Sequence, residues 1–235
     1  MIRIGTSGWQ YDDWRPSFYP VGLARDRWLG RYVECFDTVE INNTFYRLPS
    51  QATVDRWAQA LPQGFLAAIK VSRYLTHVRR LRDPQDPVAL LLERVAPLRE
   101  RGLLGPVLLQ LPPNMPARPE DLERTLSAFP PDVRVAVEPR DRSWFRKATR
   151  EVLIDHRAAL VWSDRNGRSV GPLWRTTSWC YLRLHHGRLD WAYQDRDLRR
   201  WARRLRECPD AFVFTNNDPG AAAVRDARRL QALTT

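Results

Sequence analysis

Eight short apolar runs, rich in β-branched residues, recur along the chain at intervals of roughly 30 residues. They cover 2–4, 38–41, 65–71, 107–111, 133–137, 159–162, 180–184 and 211–214. Helical patterns fill most of the gaps. Trp28, Leu29, Tyr32, Val33 and Phe36 share one helix face, and Val54, Trp57, Ala58 and Leu61 share another. Ser50 is placed to cap the second of these, and Asp86-Pro87 and Asp218-Pro219 read as helix starts. Further helical stretches are marked by Leu122 with Leu126, by 144–154, and by Leu198, Trp201, Ala202 and Leu205. The sixth gap, 164–179, is rich in Gly, Pro, Ser and Arg and predicts a loop or a degenerate helix. Strand followed by helix, about eight times over, predicts one (β/α)8 barrel domain over 1–235. An open doubly wound sheet is the alternative. It favours a GxGxxG turn after the first strand, and Gly5-Thr6-Ser7-Gly8-Trp9 is not one.

Each run turns polar at its C-terminal end, where a barrel of this kind carries its chemistry. The ends hold Ser7 and Trp9, then Glu40, Asn42 and Asn43, then Lys70, Gln110, Glu138 with Arg140, Asp164, Arg183 with His185, and Asn216 with Asn217. Residues two apart share a strand face, so Glu40 with Asn42, Glu138 with Arg140, and Arg183 with His185 are expected to point into the barrel mouth. Their other option is the helix layer, where an unpaired charge is costly. Glu40 and Glu138 form a candidate acid–base pair, His185 a proton shuttle, and Glu138, Asp164 and His185 an alternative metal set. Tyr46, Arg47, His77 and Trp144, with Trp9, are candidate lining residues. Trp28, Trp57 and Trp201 fall at core spacing. Asp218 reads as an N-cap.

The charge balance is +11, and of 38 basic residues only Lys70 and Lys147 are lysine. Much of the arginine lies on helices, as in Arg199, Arg200, Arg203 and Arg204, and is assigned to a solvated surface. A lysine at the end of a buried strand, in a chain that otherwise writes arginine, marks Lys70 as a functional ammonium, since the two cations are not interchangeable. Two nearby glutamates are expected to keep it charged. Cys35, Cys180 and Cys208 show no CxxC spacing, which predicts reduced thiols and a cytoplasmic protein. No apolar stretch approaches a membrane span, and no leader-like stretch follows Met1.

The strand-end motifs resemble a known family. Gly5-Thr6-Ser7-Gly8-Trp9, Phe18-Tyr19-Pro20, Thr38 to Arg47, Thr76-His77, Gln110-Leu111-Pro112-Pro113, Glu138 with Arg140, Ser143-Trp144-Phe145, Arg183-Leu184-His185 and Asn216-Asn217 are similar, in order, to the YecE-like proteins (domain of unknown function 72). His186 and Pro139 depart from the pattern. The resemblance implies a TIM barrel of bacterial or archaeal cytoplasmic origin and carries no established reaction. A nucleic-acid role has been suggested for the family by analogy with endonuclease-IV-like barrels. The sequence names no cofactor. It predicts a hydrolase or lyase acting on a phosphorylated or nucleotide-like anion, held by Lys70, Arg140 and Arg183. The alternatives are a non-catalytic nucleic-acid-binding protein and a metal-assisted hydrolase.

Overall fold

In a computed structural model, which describes residues 1–188 and 190–234, eight parallel strands form a barrel. They are β1 (Ile2–Thr6), β2 (Thr38–Ile41), β3 (Leu66–Lys70), β4 (Leu104–Gln110), β5 (Val135–Glu138), β6 (Ala159–Arg165), β7 (Trp179–His186) and β8 (Asp210–Thr215). Around them lie α1 (Trp28–Val33), α2 (Gln51–Ala60), α3 (Gln85–Arg94), α4 (Ala96–Glu100), α5 (Pro119–Ser127), α6 (Lys147–Asp155), α7 (Asp195–Leu205) and α8 (Ala222–Thr234). The gap after β6 holds a two-residue strand, Arg168–Ser169, antiparallel to the end of β6. The helix it lacks is the one its Gly- and Pro-rich composition argued against.

The sheet runs β1-β8-β7-β6-β5-β4-β3-β2, so closure falls between β1 and β2. There the ladder is reduced to one bridge, Ser7 to Glu40, with the Gly8 N–H donating to the Glu40 carbonyl at 2.8 Å. Below that bridge a side chain stands in for the ladder. The Tyr32 hydroxyl of α1 accepts from the Thr6 N–H at 2.9 Å and donates to the Thr38 carbonyl at 3.1 Å. An unpaired buried amide and carbonyl would each cost about 1–3 kcal/mol, and the phenol satisfies both. Gly5 is required at this seam, because a Cβ there would lie 2.1 Å from the Thr38 carbonyl oxygen.

Period-two alternation divides the strands cleanly. Ala68, Leu108, Ala136, Val161, Tyr181 and Phe214 fill the barrel interior, while their neighbours Ile69, Leu109, Val137, Leu160, Leu182 and Val213 pack under the helices. Trp28, Trp57 and Trp201 are buried as expected. So are Trp14 and Trp144, both fully enclosed.

Three local expectations change. The Ser50 hydroxyl does cap α2, accepting from the Thr53 N–H. Helix α3, however, starts at Gln85, so Asp86 lies inside its first turn, where a carboxylate favours the helix dipole without capping it. Asp218 precedes the turn that leads into α8, yet its side chain makes no capping bond. Finally, Cys180 on β7 and Cys208 just after α7 form a disulfide, leaving Cys35 as the free thiol among the described residues. Residues 28 apart in sequence are brought together by the β7–α7 crossover, which spacing alone does not reveal. The pairing removes the sequence argument for a reducing compartment. No helix among the described residues is long and apolar enough to cross a membrane.

Thiol titration of the denatured, unreduced protein will count one thiol per chain, and Cys208→Ala will lower stability by about 2–4 kcal/mol in urea unfolding. A count of three thiols would remove the disulfide from the fold.

Candidate functional site

The C-terminal mouth of the barrel is organised around Arg183, a guanidinium only 1% exposed. Its Nη2 donates to Glu40 Oε1 at 2.8 Å and its Nη1 to Glu138 Oε2 at 2.6 Å. Each carboxylate collects further donors. Glu40 accepts from the Tyr181 hydroxyl at 2.6 Å and the Ser7 hydroxyl at 2.7 Å. Glu138 accepts from the Gln110 amide at 2.7 Å and the Ser163 hydroxyl at 2.9 Å, and its Oε1 lies 2.6 Å from His185 Nε2. Six strands thereby converge on one network through inward-facing residues.

Electrostatics follow from the geometry. Burial pushes both carboxyl groups up, but Arg183 and the converging donors outweigh it; Glu40 titrates below the usual carboxylate range and Glu138 well below it. Both are ionised at neutral pH and have no proton to give. The acid–base pair expected of Glu40 and Glu138 is therefore replaced by a scaffold of fixed charge. Burial also lowers the charge affinity of His185, and Glu138 does not fully restore it, so the imidazole titrates below its ordinary value. A neutral His185 that donates from Nε2 to Glu138 presents Nδ1 as a base. In that tautomer the Asn216 amide donates to Nδ1 at 3.3 Å, a long bond that a water molecule would replace.

Lys70 also departs from expectation. Burial, assisted by the nearby Arg183, lowers its ammonium to about 8 despite Glu40 and Glu138. The group remains mostly charged at pH 7, with Nζ 4.1 Å from the centre of the Phe45 ring. Thr44 fixes the strand end beneath it by donating to the Lys70 carbonyl at 2.6 Å. Arg140, half-buried, has its Nε enclosed and unpartnered, and burial lowers its charge affinity. Neither Lys70 nor Arg140 has an ion-pair partner among the described residues. His77, bonded to Thr76 at 2.8 Å and edge-on to Phe45, faces the same cations and is depressed first by burial and then by them.

Asp164 lies outside this group. On β6 the inward positions are Ala159, Val161 and Ser163, so Asp164 points into the helix layer, where its Oδ2 accepts from Trp201 Nε1 at 2.8 Å. The metal set of Glu138, Asp164 and His185 is thus split by strand parity. Among the described residues no cluster of three His, Cys, Asp or Glu could hold a metal ion. Trp144 is likewise enclosed, its indole N–H bonded to the Met115 carbonyl. Trp9 packs edge-on against Trp57, beside a lateral cleft of about 970 Å³. Both belong to packing. Asn42 and Asn216 are half-buried near the mouth, while Tyr46, 75% exposed, and Arg47 stand on the rim after β2. Tyr181 and Ser163 are network members that polarity at the strand ends did not reveal; counting by two from Arg183 and from Val161 would have found both.

Comparison with known proteins agrees with the barrel fold. A profile described as "Protein of unknown function DUF72" matches residues 3–235. The chain belongs to the DUF72 family. Relatives include the UPF0759 protein YunF of Bacillus subtilis, 26% identical over 99% of this chain and 94% of that protein. The UPF0759 protein YecE of Escherichia coli is 31% identical over 66% of this chain and 54% of its own length. Among solved structures, a DUF72 family protein from Thermotoga maritima superposes with a TM-score of 0.87 at 26% identity, covering 99% of this chain and 98% of that one. SacUVDE, at 9% identity and a TM-score of 0.55, covers 88% of this chain and 84% of its own and shares the fold.

Arg183→Met will leave two buried carboxylates without their cation and destabilise the protein by about 3–5 kcal/mol in denaturant unfolding at pH 7. Both glutamates have folded values below their unfolded ones. The stability they contribute is present above the ordinary glutamate value of about 4.3 and is lost as pH falls from there through their lowered folded values. In the wild type, the unfolding free energy will therefore fall steeply on acidification below that value, and in Glu138→Gln the fall will be shallower.

Proposed function

We propose that this DUF72 protein is an enzyme that binds a phosphate-bearing anion in the barrel mouth and hydrolyses its phosphoester, with His185 as general base. The observation that carries the reading is a pair of cations, Lys70 and Arg140, that make no ion pair among the described residues, beside an imidazole bonded through Nε2 to a fixed carboxylate. A guanidinium and an ammonium that lack partners favour a multidentate anion. His185 Nδ1 removes a proton from water as the water oxygen attacks phosphorus, and Glu138 stabilises the imidazolium that forms. Arg183, whose charge is spent on Glu40 and Glu138, holds the scaffold and does not bind substrate.

The carrier of the phosphate, a small metabolite or a nucleic-acid strand, is distinguished by the substrate panel. Calorimetric titration with inorganic phosphate should show binding that weakens at least tenfold in Lys70→Ala and in Arg140→Ala. Turnover across phosphomonoesters, nucleotides and single-stranded oligonucleotides should fall by about 10²–10⁴-fold in His185→Gln while phosphate binding persists. With His185 titrating below its ordinary 6.5 or so, kcat/KM should rise with pH along a limb below that value. Unchanged phosphate binding in the Lys70→Ala/Arg140→Ala double variant would sink the proposal.

A further inference from the structure

A water-activating base needs a complementary acid to protonate the leaving oxygen, and Glu40 and Glu138 carry no proton. The loop after β8 offers another carboxyl. Asp218 follows Asn216, the residue at His185 Nδ1, by two positions. Its backbone is pinned from two sides: the Trp14 indole donates to its carbonyl at 3.2 Å, and the Ala221 N–H at 3.1 Å. Its side chain makes no capping bond to the turn it precedes, and its Oδ1 is buried without a hydrogen-bond partner. A solvated cap would look different on both counts.

The Tyr11 phenol lies against this carboxyl and donates its one proton to the Ser7 carbonyl at 2.6 Å. With that proton used, the phenol oxygen can only accept. A contact between Tyr11 and Asp218 is then satisfied when the carboxyl itself is protonated and donates. Beyond the phenol, Ser7 continues through its hydroxyl to Glu40 and so to Arg183, Glu138 and His185. Through the two polar groups of Ser7, the loop that carries Tyr11 and Asp218 is tied to the network that holds His185.

We infer that Asp218, held by Tyr11, is the general acid of the reaction, delivering its proton to the leaving oxygen while His185 takes one from water. The inference rests on the hydrolytic reading above. In the step, the water oxygen forms a bond to phosphorus and the ester P–O bond breaks. The proton from water passes to His185 Nδ1, and the Asp218 proton goes to the departing alkoxide. Proton return from imidazolium to carboxylate restores both groups. The groups facing Asp218 are Tyr11, Asp13, Glu40 and Arg183. Burial raises its carboxyl to about 7, with Asp13 and Glu40 adding to the rise and Arg183 opposing it. Protonated below that value, Asp218 would give the rate a descending limb as pH rises through about 7, opposite in sign to the limb of His185.

The test uses full-length wild type, Asp218→Asn and Tyr11→Phe on whichever phosphoester the panel turns over. Support would be phosphate binding retained in Asp218→Asn, kcat reduced about 10²–10⁴-fold, and the descending limb lost. Infrared difference spectra of protein labelled with ¹³C-aspartate give a readout independent of turnover. A protonated carboxyl band should titrate away near pH 7 in wild type, shift in Tyr11→Phe and vanish in Asp218→Asn. If wild type shows no such band, Asp218 is not the acid, even should the Asn variant fail to fold. Turnover in Asp218→Asn within threefold of wild type, with both limbs intact, overturns the acid and leaves the hydrolytic reading standing. Absence of turnover by wild type on the whole panel overturns both.

Discussion

A guanidinium between two carboxylates, all three buried, is the interaction on which the top of this barrel depends. Arg183 is the cation that makes Glu40 and Glu138 tolerable in the interior, and they in turn keep it charged against the penalty of burial. Such an arrangement is weak as a source of net stability, since replacing the whole cluster by apolar side chains would often be neutral. It is strong as a source of order. The bonds are directional, and β1, β2, β4, β5, β6 and β7 must hold their register for Ser7, Glu40, Gln110, Glu138, Ser163, Tyr181, Arg183 and His185 to meet.

That order separates two kinds of charge in the mouth. The inner set is mutually neutralising and fixed. In the outer set Lys70 and Arg140 are cations that make no ion pair among the described residues, with His77 depressed beside them. The +11 balance of the whole chain explains little of this, because most arginines lie on the helices and rim, and many are paired with surface carboxylates. What distinguishes Lys70 and Arg140 from those residues is desolvation without a partner.

Much of the architecture was legible in the sequence because it rests on local periodicities. The eight strands, the missing sixth helix and the inward direction of Glu40, Glu138, Arg183 and His185 all follow from counting by two and by three or four. Where polarity replaced parity the reading slipped: Asp164 was chosen on β6 although Ser163, one residue earlier, shares the face of Val161. Other features lie beyond any local pattern. The Cys180–Cys208 bond needs the β7–α7 crossover to exist first. The lowered ammonium of Lys70 depends on how deeply it is buried and on where Arg183 stands, and two glutamates in the sequence suggested the opposite. Trp9 and Trp144 were read as mouth residues because they follow strands, but the chain buries Trp9 against Trp57 and Trp144 against the Met115 carbonyl.

The seam between β1 and β2 has a consequence for what kind of object this barrel is. Seven of the eight junctions are held by backbone ladders, which any sequence of suitable shape can supply. The eighth is held at its lower part by the hydroxyl of Tyr32 and by the missing side chain of Gly5. The ring is therefore completed by one backbone bridge and one phenolic oxygen, and at this junction its continuity depends on side chains where the other seven rest on the main chain.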